Sequence, residues 1–259
     1  MEPRIINLFG PESDALSRHT QAVMPDTCTS LILHLRHAAA CYGGDFPLGV
    51  PGKAEAVNPV LDPASSRREA LDALREEIGP CSRCRLHENR QQLVFGEGSA
   101  NARVMFIGEA PGQQEDRQGR PFVGPAGQLL DKIIENAMGL SRPEVFIANV
   151  NKCRPPGNRD PQPDEVGACL PFLRRQIEII EPEVIVTLGR VAAQNLLSTT
   201  LPMRRLRGQD LEINGITVIA TWHPAYLLRQ PSAKADTRED IKRVNRRLGL
   251  PEIPVRKRP

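Results

Sequence analysis

Six cysteines and a few residues at loop positions carry most of the chemical potential of this 259-residue chain. Cys81-Ser82-Arg83-Cys84 is a C-x-x-C hook, a spacing that brings two thiolates within reach of one metal, and Cys153 and Cys169 follow far downstream. If the two pairs converge, ligation by sulfur alone suits structural zinc or an iron–sulfur cluster; otherwise Cys153 and Cys169 are ordinary buried thiols. Cys28 and Cys41 have no comparable partners and read as free thiols. The opening residues, Met1-Glu2-Pro3-Arg4, lack the pattern of a secretory leader, so the expectation is a reducing compartment, where such cysteines serve as ligands rather than bridges.

A second set of residues suits recognition of a flat polar ligand. Gly108-Glu109-Ala110-Pro111-Gly112 follows an apolar run but lacks the glycine spacing of a dinucleotide site. In Gly119-Arg120-Pro121-Phe122-Val123-Gly124-Pro125-Ala126-Gly127 an aromatic ring is held between Pro and Gly residues just before a helix. Phe122 there either stacks on a planar ligand or packs in the core. Asn149 offers one acceptor and two donors, enough to read the edge of an amide-like heterocycle, or it closes a turn. His223, between an apolar run and a proline, can place a donor beside developing negative charge.

These residues need a scaffold that gathers them. Val104-Met105-Phe106-Ile107, Val145 to Val150, Val184 to Leu188 and Thr217 to Thr221 are short buried-strand patterns. Between them lie helical stripes: Leu129, Leu130, Ile133, Ile134, Ala137 and Met138 up to Gly139; Val166, Leu170, Leu173, Ile177 and Ile180; and Val191 to Leu197. Asn214-Gly215 suits a hairpin turn before the last strand. An earlier helix, capped by Ser65-Ser66, carries Ala70, Leu71, Leu74 and Ile78 and stops near Gly79-Pro80; a final one spans residues 236–248. The expectation is a three-layer α/β/α fold around a four-stranded, mostly parallel sheet, with the ligand site beyond the carboxyl ends of the strands.

Composition sets the outer bounds. At 40% hydrophobic and 25% charged, the chain is neither collagen-like nor disulfide-dense. The longest early apolar run, Leu31 to Arg36, is interrupted by His34 and is too short to cross a bilayer. Residues 1–66 hold seven prolines and five glycines and read as an irregular, flexible extension. They carry 4 basic and 7 acidic side chains, which leaves a net +6 on the remainder of a chain whose total is +3. That excess on the body suits a polyanion. Arg256-Lys257-Arg258 forms a basic tail within residues 251–259.

The motifs together resemble those of the family 4 uracil-DNA glycosylases, the iron–sulfur branch of that superfamily. The resemblance covers about residues 68–248 and rests on Cys81-x-x-Cys84, Phe95-Gly96-Glu97-Gly98, Gly108 to Gly112, Gly119 to Gly124, Asn149 to Asn158, Cys169, and His223-Pro224-Ala225-Tyr226-Leu227-Leu228. It implies a catalytic domain over residues 67–250 that excises uracil from single- or double-stranded DNA as a cytoplasmic monomer of bacterial or archaeal type, opening base excision repair. It also implies a [4Fe–4S] cluster on Cys81, Cys84, Cys153 and Cys169. By similarity Phe122 stacks on the base, Asn149 bonds its Watson–Crick edge, and His223 donates to O2. Glu109 and Glu115 are the acidic positions of the first loop; Gly108, Ala110 and Asn158 line the pocket. Ala110 stands where other branches place an Asp, so the water-activating group is not carried over from them. The loop after Asn149 has no His of the kind that traps the sugar covalently in a related branch, which implies turnover. Tyr226, Leu227 and Leu228 resemble the segment that fills the gap left by a flipped base. Arg83, Arg85, Lys152 and Arg154 are candidate phosphate contacts, with Arg246, Arg247 and the basic tail adding nonspecific affinity. From the cysteines and basic residues alone, a metal-stabilised DNA-binding module without chemistry is the alternative, and an electron carrier a third.

Overall fold

The computed structural model describes residues 4–6, 63–251 and 253. The expected extension over residues 1–66 therefore falls mostly outside the described residues, as do Cys28, Cys41 and Arg256-Lys257-Arg258. Among the described residues seven strands form one sheet: β1 (Arg4–Ile6), β2 (Glu97–Gly98), β3 (Val104–Gly108), β4 (Phe146–Asn149), β5 (Val184–Leu188), β6 (Leu211–Ile213) and β7 (Ile216–Thr221), in the order β1-β6-β7-β5-β3-β4-β2. The four expected strands are its contiguous parallel centre, β7-β5-β3-β4. The count of four is corrected to seven. β2 and β6 add antiparallel edges, and β1 extends the sheet beyond β6. Segments of two or three residues are too short to show an alternation, and the arm of a hairpin is recognisable only through its turn. That turn is formed by Asn214 and Gly215, both at positive φ as a tight hairpin requires.

The eight α-helices among the described residues are α1 (Pro63–Ile78), α2 (Gln113–Gln118), α3 (Pro125–Ile133), α4 (Pro163–Ile180), α5 (Arg190–Leu196), α6 (Met203–Leu206), α7 (Pro224–Arg229) and α8 (Lys234–Leu248). α1 begins before the serines expected to cap it, with Pro63 in the first turn, where its missing N–H costs nothing. α3 runs on into one π-turn, Ile134–Met138, and stops at Gly139, whose φ of 70° turns the chain out of the helix.

Alternation along the central strands sorts the core into two layers. Met105 and Ile107 of β3 face a cluster with Leu74 of α1, Leu173 and Ile177 of α4 and Leu196 of α5. Val104 and Phe106 face the other way, toward Leu130 of α3, Ile134, and Ile241 and Val244 of α8. Helices thus cover both faces of a sheet whose centre is buried, as a parallel sheet demands. No helix among the described residues is long and apolar enough to cross a membrane.

Candidate active site

The parallel strands share one carboxyl edge, and register decides which residues stand side by side there. Gly108, the last residue of β3, pairs with Asn149, the last of β4. A Cβ on Gly108 would lie 2.3 Å from Asn149 Oδ1 and 2.6 Å from Phe122 Cζ. The glycine is therefore required by the closeness of an amide and an aromatic ring, which no other residue type permits. Asn149 is 2% exposed, and its Oδ1 has no hydrogen-bond partner. A buried acceptor left unpaired destabilises a fold by about 1–3 kcal/mol unless something supplies a donor. Its backbone carbonyl is satisfied, accepting from Lys152 Nζ at 2.8 Å.

Phe122 reaches this place from the loop before α3. Its φ is 50°, a left-handed conformation that costs a non-glycine residue about 1–3 kcal/mol and persists only when neighbours enforce it. One neighbour is Glu115, whose Oε1 accepts from the N–H groups of Val123 and Gly124, both at 2.9 Å. The carboxylate so held sits at the N-terminus of α3, where negative charge is favoured. Another is Gly127, where a Cβ would lie 1.9 Å from the Phe122 carbonyl oxygen. The ring of Phe122 belongs to the core cluster below the sheet edge. Its centroid also lies 5.7 Å from that of His223, the planes tilted by 32°.

His223 caps α7 after β7. Its Nδ1 accepts from the Ala225 N–H at 3.1 Å, which places the proton of the neutral ring on Nε2. Burial, reinforced by Arg229 and opposed by Glu115, lowers its pKa to about 4. The ring is thus a neutral donor at neutral pH. The preceding strand end is braced by Thr221 Oγ1 donating to Asp240 Oδ2 at 2.7 Å and Trp222 Nε1 donating to Asp236 Oδ2 at 3.0 Å. Gly189, at φ 91°, gives the ring room: a Cβ there would come within 3.0 Å of His223 Cβ.

Glu109, next to Gly108, is half-buried. Burial, with a smaller push from Asp160 against the pull of Arg190, raises its carboxyl to about 7. Ala110 beside it is half-buried. Asn158 is exposed, in a left-handed turn (φ 55°), and its Oδ1 accepts from Arg154 Nε at 2.8 Å. Phe122, Asn149 and His223 are therefore brought together around Gly108 and Gly189, whereas the hydrogen bonds of Asn158 are local, to Arg154 and Pro155. Of the α7 residues, Leu227 is 1% exposed, Tyr226 packs on Trp222 at a centroid distance of 4.9 Å, and Leu228 is 47% exposed.

Cys81, Cys84, Cys153 and Cys169 line one cavity of about 320 Å³, counting its opening to solvent, with Arg83, Arg90, Lys152 and Phe172 among its walls. No disulfide joins them. Three N–H groups point at their sulfurs: Arg83 Nη1 to Cys81 at 3.3 Å, Arg90 Nη1 to Cys153 at 3.2 Å and the Lys152 amide to Cys169 at 3.2 Å. Four soft donors ringed by cations and N–H groups suit an anionic metal–sulfur group. Among the described residues no three His, Cys, Asp or Glu side chains gather tightly enough to hold one ion.

Two residues here depart from the sequence reading. Lys152, expected at a phosphate, is 1% exposed and donates to Asn149 O and, at 2.6 Å, to Gln176 Oε1. It cannot reach DNA. Three residues separate Asn149 from Cys153, and a chain tied inward at both ends takes its middle with it; that short spacing was the available signal. Arg90 was not anticipated, and nothing in its local sequence marks it.

A model of the uracil DNA glycosylase superfamily matches residues 95–249. A type-4 uracil-DNA glycosylase of Sulfurisphaera tokodaii is 44% identical over 184 residues, covering 68% of this chain and 84% of the relative. One of Thermotoga maritima is 45% identical over 169 residues, 64% of this chain and 88% of the relative. A type-5 uracil-DNA glycosylase of Pyrobaculum aerophilum is 34% identical over 148 residues, 50% of this chain and 64% of the relative.

Proposed function

The chain belongs to the uracil-DNA glycosylase superfamily, with type-4 enzymes among its relatives, and from that premise we propose that it hydrolyses the N-glycosidic bond between uracil and deoxyribose in DNA, leaving an abasic site. The catalytic domain is residues 67–250, to which Pro63 to Ser66 add the first turn of α1 and Arg4–Ile6 the strand β1, with the rest of residues 1–66 an extension and 251–259 a basic tail. The observation that carries the reading is the unpaired, buried Asn149 Oδ1 close to the ring of Phe122, which in turn neighbours the ring of His223. Uracil presents an N3–H donor and an O4 acceptor on one edge. An amide whose oxygen awaits a donor and whose nitrogen carries two hydrogens complements both, and rejects cytosine, which offers the opposite pattern.

A base inside the duplex cannot reach such a pocket, so the nucleotide leaves the stack first. Phe122 then provides the stacking face. Of Tyr226, Leu227 and Leu228, Leu228 is the most exposed and fills the vacated space in the duplex. As the C1′–N1 bond breaks, its electron pair moves onto the base and the sugar becomes cationic. The Nε2–H of neutral His223 donates to O2, where negative charge grows, so it acts most strongly in the transition state. The carboxylate of Glu109, when ionised, stabilises the sugar cation or orients water; water adds to C1′ and releases one proton. Glu115 acts at one remove, by holding the loop of Phe122.

Cys81, Cys84, Cys153 and Cys169 hold a [4Fe–4S] cluster, which when bound ties the hook to the loop after Asn149 as a structural crosslink. Arg83, Arg90 and Lys152 supply compensating charge around it.

Single-turnover release of uracil from oligonucleotides by purified holoprotein tests the reading. Asn149→Ala and His223→Ala are each expected to slow release by about 10²–10³-fold, while DNA affinity changes little. A protein that binds uracil-DNA but never releases the base is instead a DNA-binding module.

A further inference from the structure

We infer that Arg142 is a positioning residue that fixes the base-stacking face of Phe122 by gripping the backbone on which that ring is mounted. The inference rests on the glycosylase reading for its consequence, though its geometry stands independently. Arg142 lies in the short turn Arg142–Glu144 before β4, twenty residues beyond Phe122, and its side chain is 17% exposed. Its Nη1 donates to the Phe122 carbonyl at 3.1 Å, and its Nη2 donates to the Pro121 carbonyl. The guanidinium is itself held, Nε donating to Glu97 Oε1 at 2.6 Å and Nη1 to Asp131 Oδ1 at 2.7 Å. Glu97 is further tied to Arg120, just before Pro121, at 2.8 and 3.1 Å.

The arrangement fits the problem Phe122 poses. A left-handed residue other than glycine relaxes unless its flanking peptides are fixed. Here the carbonyls of residues 121 and 122 are fixed by Arg142, and the N–H groups of residues 123 and 124 by Glu115. With both sides pinned, the ring stays over the space that Gly108 leaves open. A planar fork is needed, because two carbonyls and two carboxylates are reached from one side chain in fixed directions; the point charge of a lysine cannot span them.

The test is a double-mutant cycle on the cluster-bearing protein. Arg142→Lys is expected to lower the single-turnover rate by about tenfold or more, since displacing a positioned group by about 1 Å costs rate on that scale. Inhibition by free uracil should weaken by a similar factor, with affinity for DNA within about twofold and visible absorbance of the cluster unchanged. In a Phe122→Ala background the same change should cost little further. Amide exchange at Val123 and Gly124 should quicken by about tenfold in Arg142→Lys, because release of the loop exposes them. Losses that simply add in the double variant, or unchanged uracil inhibition, overturn the inference. If Arg142→Lys does not fold, Glu97→Gln, which unseats the guanidinium while leaving it in place, is expected to move the same readouts in the same direction. A wild-type protein that releases no uracil defeats the glycosylase reading alone; the exchange measurement then still decides the clamp, and unchanged exchange refutes it.

Discussion

The base pocket and the cysteine cavity lie at the two ends of one five-residue segment, Asn149 to Cys153, and are held in shape by different means. In the pocket, shape comes from backbone: paired strand ends, a glycine against which an amide and a ring close, and a left-handed loop pinned on both sides. Nothing has to be bound for those positions to exist. In the cavity, by contrast, the donors come from a hook, a loop and a helix that share no ladder of hydrogen bonds. Burial pushes the Cys169 thiol up to about 11 against the pull of Lys152, and burial likewise raises Cys153. Filled as proposed, the four sulfurs would crosslink those three elements. On that reading recognition is built into the fold, whereas cohesion at the other end would be supplied by what the fold binds.

The sharpest way to break the comparison is Gly108→Ala. The new methyl would clash with Asn149 Oδ1 and the Phe122 ring, so uracil release should fall by about 10²-fold or more, with cluster absorbance unchanged and the melting temperature lowered only by the few degrees that about 1–3 kcal/mol of overpacking produces. A large loss of melting temperature would mean that the pocket is part of the stabilising core after all. Cys169→Ser should differ in rate and colour. The melting temperature should drop by several degrees, about what a loss of 1–2 kcal/mol produces in a domain of this size, and brown colour should fade, while the activity of the fraction still folded falls by less than in Gly108→Ala. The smallest effect concerns protons. With Glu109 raised to about 7 and His223 lowered to about 4, the rate should climb about tenfold per pH unit below 7, level off above it, and show no separate limb from His223 above about pH 5. Glu109→Gln should be slower and flat. Because the folded-state pKa of Glu109 exceeds its ordinary value of 4.5, the folded protein binds the extra proton, and stability declines as pH rises from about 4.5 to 7. Thermal melts of Glu109→Gln should lack that decline.

What the sequence makes legible follows from range. The four central strands are visible because each is a run of apolar residues between turn signals, and Val184 to Leu188 is found with its limits intact. β1 and β2 are invisible because pairing, not pattern, makes them strands. The same division holds at the site. Phe122, Asn149 and His223 stand out because loops placed after strands in such a sheet converge, while Gly108 is placed at the pocket only by resemblance, and the reason it must be glycine emerges only when register sets it beside Asn149. Lys152 misleads because charge in a sequence suggests solvent, and only three dimensions show its ammonium under the sheet edge. Arg142 gives no signal at all, since two of its partners are carbonyl groups, which every residue carries.

The three residues between Asn149 and Cys153 have one more consequence, for anyone wishing to remodel this scaffold. Fully extended, they allow Asn149 and Cys153 a separation of no more than about 14 Å, and the first of them, Val150, is fastened to the neighbouring strand by its N–H donating to Gly108 O at 2.9 Å. Insertions or deletions there would transmit their whole length to both ends, so libraries aimed at new bases should leave this tether at its natural span.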